Sequence, residues 1–204
     1  MSTLLPIFPL DLVLFPSTPL PLHIFEDRYR EMIGECLESK QVFGVVRAKN
    51  EEGIADIGCT AEIIDVTKRY SDGRMDILTH GRDRFEIMRV DQERSFLRAE
   101  VMYLQDDTDK ASSDKIAEAL KLQAEILQLA GADLDKASLA GNPQLSFQIA
   151  GSLPLDLDFK QNLLAVNSEP ERIHSVTSYL ETVLPNLRRT VQVRKKAGGN
   201  GHGI

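Results

Sequence analysis

Four histidines and two cysteines are the side chains in this 204-residue chain that could ligate a metal or serve as nucleophile and base. Their spacing does not support either chemistry. His23, His80, His174 and His202 form no H-x-x-x-H pair, and Cys36 and Cys59 form no C-x-x-C pair, so neither a zinc site nor a disulfide framework is indicated. Cys36 falls on the apolar face of a predicted helix and Cys59 at the start of a predicted strand, and both read as core thiols. Ser152, in "AGSLP", lacks the G-x-S-x-G elbow and reads as a helix-end serine. No G-x-x-x-x-G-K-[ST] loop is present to cradle phosphate. The chain is expected to be no enzyme and to carry neither cofactor nor metal.

Charged side chains in unusual settings are the other candidates. Glu26 and Arg28, in "FEDRY", could meet a partner's charges, although Glu26 also stands near a predicted helix start, where the helix dipole favours an acid. Arg82 and Arg84 follow Gly81 and could contact an anion or a partner, because glycine lets a backbone approach closely. A β-bulge or turn glycine beside solvated arginines is the alternative. Arg188, Arg189, Arg194, Lys195 and Lys196 read as a solvated basic tail. A net charge of −7 with 6% aromatic residues argues against nucleic acid and against an anionic membrane surface.

The elements that must position these residues begin with "LPIFPLDLVLFPSTPLPLHIFEDRY", Leu5 to Tyr29, which holds five of the nine prolines. Proline fixes φ and has no N–H, so it suits edge strands, strand starts and turns. "DLVLF" (Asp11 to Phe15) is expected as a short strand ended by Pro16, "PSTP" as a turn, and "LPLHIF" (Leu20 to Phe25) as renewed extended chain. Pro19 and Pro21, two apart, share one strand side and one edge. The start lacks a basic n-region and an A-x-A-like cleavage site, so it is expected to belong to the mature, cytoplasmic protein rather than to a secretion signal. Tyr29, Met32, Ile33, Cys36 and Leu37 then define an amphipathic helix over 26–39. "VFGVVR", "IGCTAEIIDVTKRY", "RMDILTHGRDRFEIMRV" and "FLRAEVMYL" read as strands, the middle two joined as a hairpin at Asp72-Gly73.

Near "QDDTDKASSD" (Gln105 to Asp114) the composition turns acidic, which sets the expected boundary between a β-rich subdomain, 1–108, and a helical one, 113–190. Residues 191–204 are expected to be a disordered tail. In the helical part, Ala117, Leu120, Ala124 and Leu127 form the expected buried face of one helix, with Gly131 as its stop. Two short helices flank Pro154, and Ser168-Glu169-Pro170-Glu171 has the form of a capping box opening a last helix that Pro185 should end or kink.

These residues carry a resemblance. "LPIFPLDLVLFPSTPLPLHIFEDRYREMI" is similar to the opening of the Lon protease (ATP-dependent protease La) amino-terminal domain, in which L-P-x-x-P-L precedes a V-x-F-P-G-type turn and L-P-L-x-I-F-E-x-R-Y. Ser17 stands here in place of the turn glycine. "IGCTAEI", "DGRMDILTHGRDRFEI" and "LPLDLDFKQNLLAVNSEPERI" resemble three further family stretches, with Ala165 where the family often has Glu, so the likeness covers all but the tail. It implies an α+β fold: a PUA-like β-pseudobarrel with one inserted helix, followed by a C-terminal helical bundle. It also implies a free-standing, non-catalytic module that recognises unfolded or exposed polypeptide, with a protease or chaperone as a possible further partner. Phe15, Pro16, Leu20, Leu22, Phe25, Glu26, Arg28 and Tyr29 are the expected binding rim. An RNA-binding PUA-like protein, or an adaptor for a separate protease, is the alternative reading.

Overall fold

The structure, a computed structural model, describes residues 4–49, 53–131 and 144–199. It divides into two compact units, one running to Asp106 and resuming over Leu155–Asn167, the other formed by Asp107–Pro154 and the chain from Ser168. Segment 155–167, expected with the helical half, thus belongs to the β-rich unit.

The first unit contains β1 (Leu5–Leu10), β2 (Pro19–Ile24), α1 (Asp27–Ser39), β3 (Phe43–Ala48), β4 (Ile54–Arg69), β5 (Met75–Asp91), β6 (Leu97–Tyr103) and α4 (Leu157–Ala165). The six strands form one sheet in the order β2-β5-β4-β3-β1-β6, and β6 returns to pair with β5. Five strands therefore close on themselves, and among the described residues β2 is paired on one side alone, as is β4 beyond Ala61. β5 serves both purposes because it is long: Met75 to His80 pair with β2, and Phe85 to Asp91 pair with β6. The α+β fold, with its pseudobarrel and single inserted helix, is as expected.

One sequence expectation fails within this barrel. The first strand is Leu5–Leu10, two prolines included, while 11–15 is irregular chain that buries Leu14 and Phe15. β1 tolerates its prolines because its neighbours overlap only slightly. Pro6 lies opposite β6 alone and Pro9 opposite β3 alone; only Ile7 has a partner on both sides. Each missing N–H can then fall where no ladder bond is due.

Alternation along the strands buries both sheet faces. Ile7 of β1 and Val46 of β3 join Leu5, Phe85 and Ala99 in a cluster made by the ring strands. Their neighbours Phe8 and Val45 join Cys59, Ala61 and Ile77 against Tyr29, Met32, Ile33 and Cys36 of α1. Between β1 and β2 the chain turns at Ser17, whose φ of 60° is the left-handed conformation that glycine adopts without strain. The turn lies on Gly81: Ser17 N donates to the Gly81 carbonyl and Gly81 N to the Thr18 carbonyl, both at 2.9 Å. A Cβ at Gly81 would stand 2.1 Å from the Phe15 carbonyl oxygen, so the glycine is there for close backbone approach.

That hydrogen bond fixes the phase of β2. If Thr18 points its peptide groups at β5, so do Leu20, Leu22 and Ile24, and Pro19, Pro21 and His23 point theirs at the open edge. The prolines thus blunt the free edge of the sheet. Replacing both with alanine should cost roughly 0.4–1 kcal/mol per site through the unfolded chain. The variant is expected to fold, then to self-associate as its edge regains two donors. Light scattering across concentration checks this, and a variant as monodisperse as the parent contradicts it.

The second unit contains α2 (Ser113–Leu129), α3 (Leu145–Ser152) and α5 (Glu169–Gly199). Gly131, at φ 70°, follows the end of α2 as expected. The buried positions of α2 are Ala119, Gln123 and Ile126, not the face through Leu120, which is half-buried. One residue of offset rotates a helix by about 100°, and Gln123 disguised the stripe: it is buried because its amide donates to Ser152 Oγ at 2.8 Å. α5 passes through Pro185 without ending and continues to Gly199, into the stretch expected to be a tail. Residues 200–204 lie outside the described residues.

Candidate functional site

The corner where β2 passes into α1 is built from "LHIFEDRY". Alternation in β2 turns Leu22 and Ile24 inward and His23 outward. Phe25 lies between strand and helix and is 59% exposed, unusual for a phenylalanine. α1 begins at Asp27 and returns Arg28 and Tyr29 toward the strand. Facing this corner is the end of β1, Phe8, Pro9 and Leu10, and between them lies a cavity of about 290 Å3 lined also by Leu22, His23, Ile24, Phe25, Glu26, Arg28 and Tyr29.

Packing makes the walls rigid. Phe8 stacks on Tyr29 with ring centroids 4.0 Å apart, and the Arg28 guanidinium lies 4.5 Å from the Tyr29 centroid on its way to Glu26, which it meets at 2.8 Å. Burial pushes the Tyr29 phenol up. At the cavity's edge His23 stacks on Phe25 at 5.9 Å and meets Asp76 at 2.5 Å through Nδ1, while Tyr70 donates to the other Asp76 oxygen at 2.9 Å. These hydrogen bonds, His23 first, hold the Asp76 carboxyl below the usual carboxylate range. The arrangement is an apolar slot with one exposed aromatic on its lip and a carboxylate and guanidinium paired beside it. Such a slot suits an apolar side chain presented by an extended chain.

The expected rim residues separate into two groups. Leu22, Phe25, Glu26, Arg28 and Tyr29 come together around the cavity. Phe15 and Pro16 are buried beneath the turn at Ser17, and Leu20 packs against the core. Phe8, Pro9 and Leu10 were missed because the opposite wall comes from a strand whose nearness follows from barrel closure. The L-P-x-x-P-L spacing was the available signal.

The two arginines beside Gly81 also part company. Arg82 is exposed and pairs with Glu62 of the neighbouring strand. Arg84 is buried: Nη1 donates to the carbonyls of Leu164 and Val166 at 2.7 and 3.0 Å, and Nη2 meets Asp106 at 2.5 Å and Asn167 Oδ1 at 3.0 Å. The Gly81 N–H is committed to Thr18 and the β4–β5 register shifts between Cys59 and Ala61, as a bulge there requires, but of the two arginines only Arg82 is solvated. Burial raises both cysteine thiols, Cys36 to about 11, which keeps them protonated and poorly nucleophilic.

Comparison with known proteins agrees with this architecture. A Lon N-terminal domain protein from Xanthomonas campestris superposes with a TM-score of 0.70 at 24% identity, covering 87% of this chain and 98% of that one. The N-terminal domain of a Mycobacterium avium complex Lon protease gives 0.69 at 20% identity, covering 88% and 98%. Lon protease 2 of Syntrophobacter fumaroxidans is 28% identical over 91% of this chain, and Lon protease of Flavobacterium johnsoniae 27% over 94%. The chain spans 25% and 26% of those two relatives. Residues 4–182 match the ATP-dependent protease La (LON) substrate-binding domain, and the chain belongs to that family.

Proposed function

We propose that this protein is a non-catalytic recognition module of the cytoplasm that binds exposed, extended polypeptide through the groove between the end of β1 and the β2–α1 corner. The observation that carries the reading is Phe25: an aromatic residue 59% exposed on the lip of an apolar slot, with His23 stacked against its ring. An aromatic held open costs solvation unless a partner covers it. The prolines of β2 support insertion of a side chain over addition of a strand, because the free edge offers acceptors at Pro19 and Pro21 but no donors. A partner protease or chaperone would receive what this groove holds.

The test is the affinity of a fluorescein-labelled, permanently unfolded polypeptide measured by anisotropy. Phe25→Ser removes the exposed ring without touching the core and should weaken binding about tenfold or more, as expected for an aromatic anchor. Unchanged affinity would remove the groove from the account.

A further inference from the structure

A second cavity, about 490 Å3, lies at the other end of the same two elements, where β1 begins, α1 turns into β3 and β6 ends. Its apolar wall is Leu5, Val42 and Val101 with the ring of Tyr103, and Lys40, Gln41 and Glu100 complete the lining. The turn carrying the polar groups is well fixed. Lys40 caps α1 in the left-handed conformation at φ 54°, and its N–H and that of Gln41 both donate to the Cys36 carbonyl. The side chains have no such commitments. All three side chains are exposed, and among the described residues the Lys40 ammonium forms no ion pair and the Gln41 amide and Tyr103 hydroxyl form no hydrogen bond within the chain. Glu100, the acid on the lining, faces Arg89 across the β5–β6 pair at 3.7 Å.

Three solvent-facing donors, one of them a cation, around an apolar wall match a carboxylate attached to an apolar body. The volume exceeds a single side chain and suits the last two residues of a peptide. We propose that this cavity takes the C-terminal carboxylate of a polypeptide whose final residues are apolar. The carboxylate would accept from Lys40 Nζ, the Gln41 amide and the Tyr103 hydroxyl, and the terminal side chains would lie against Leu5, Val42 and Val101. The carbonyl end of α1 opposes an anion here, but that field falls off within the last turn, whereas the Lys40 charge stands at the tip of a long side chain. The ligand class rests on the polypeptide-binding reading; the site does not depend on the groove at Phe25.

The test uses the full chain and a labelled hexapeptide ending in Leu-Leu, prepared as free acid and as C-terminal amide. The free acid should bind about tenfold tighter than the amide, since the amide forfeits the charge-assisted bonds. Lys40→Met, at an exposed position, should abolish that preference, and Tyr103→Phe should reduce it about threefold, one neutral hydrogen bond being lost. Phe25→Ser should leave the preference intact, so failure of the groove and failure of this site are separate results. Equal affinity for acid and amide overturns the proposal, as does a preference that survives Lys40→Met. Displacement of the peptide by octanoate at comparable concentration also overturns it, assigning the cavity to small apolar acids.

Discussion

Arg84→Met is expected to destabilise the protein by about 3–5 kcal/mol, the usual consequence of removing one partner from a buried charge pair. The guanidinium is 1% exposed and serves four acceptors at once, so the variant removes this donor from Asp106, Asn167 and the carbonyls of Leu164 and Val166. Asp106 and Asn167 are the residues at which the chain leaves the β-rich unit. Arg84 therefore fixes both exit points, and loss should concentrate there: amide exchange in α4 should accelerate more than exchange in β3 and β4. Arg84→Lys keeps the charge but not the fork, and should recover only part of the loss. Denaturant unfolding gives the magnitude; a change under about 1 kcal/mol would mean that the segment 155–167 holds to the barrel without this clasp.

The second large effect lies in the helical unit. Arg172 is fully buried in the first turn of α5, with Nε 3.0 Å and Nη2 2.8 Å from Glu169 Oε2 and the guanidinium 4.3 Å from the Phe147 ring centroid. Glu169 in turn accepts from Ser146 N at 2.9 Å and from Ser146 Oγ at 2.6 Å, at the start of α3. Arg172→Leu leaves that carboxylate uncompensated and should cost about 3–5 kcal/mol. Adding Glu169→Gln removes the orphan charge, so the double variant should be more stable than the sum of the two single changes predicts. Strict additivity in thermal and urea unfolding would show that the pair acts independently.

Both clasps illustrate where a sequence can be read and where it cannot. Periodicity located α1 and β2 to within a residue or so because each signal is local: one apolar helical stripe, one alternation bounded by prolines. The same logic misplaced the first strand. Pro6 and Pro9 argue against a strand with two neighbours, and only the register shows that those neighbours barely overlap. Arg84 stood out beside Gly81, but three of its four acceptors come some eighty residues later, where no local rule reaches. "SEPERI" was legible as a helix start, and Ser168 Oγ does accept from Glu171 N at 3.4 Å. What the pattern hid is that Glu169 turns away to hold α3. The groove was half visible for the same reason, its β2–α1 wall contiguous in sequence and its β1 wall supplied by closure.

The central claim is that extended polypeptide occupies the groove between β1 and the β2–α1 corner. The most direct measurement is an amide chemical-shift titration of the isotope-labelled protein with an unfolded apolar peptide whose C-terminus is amidated, which weakens its hold on the cavity at Lys40. The account predicts shifts centred on Phe8, Leu10 and the run from Leu22 to Tyr29, saturating with the concentration dependence seen by anisotropy and moved to about tenfold higher concentration or beyond in Phe25→Ser. Saturable shifts confined to other surfaces, with these residues unmoved, would contradict it.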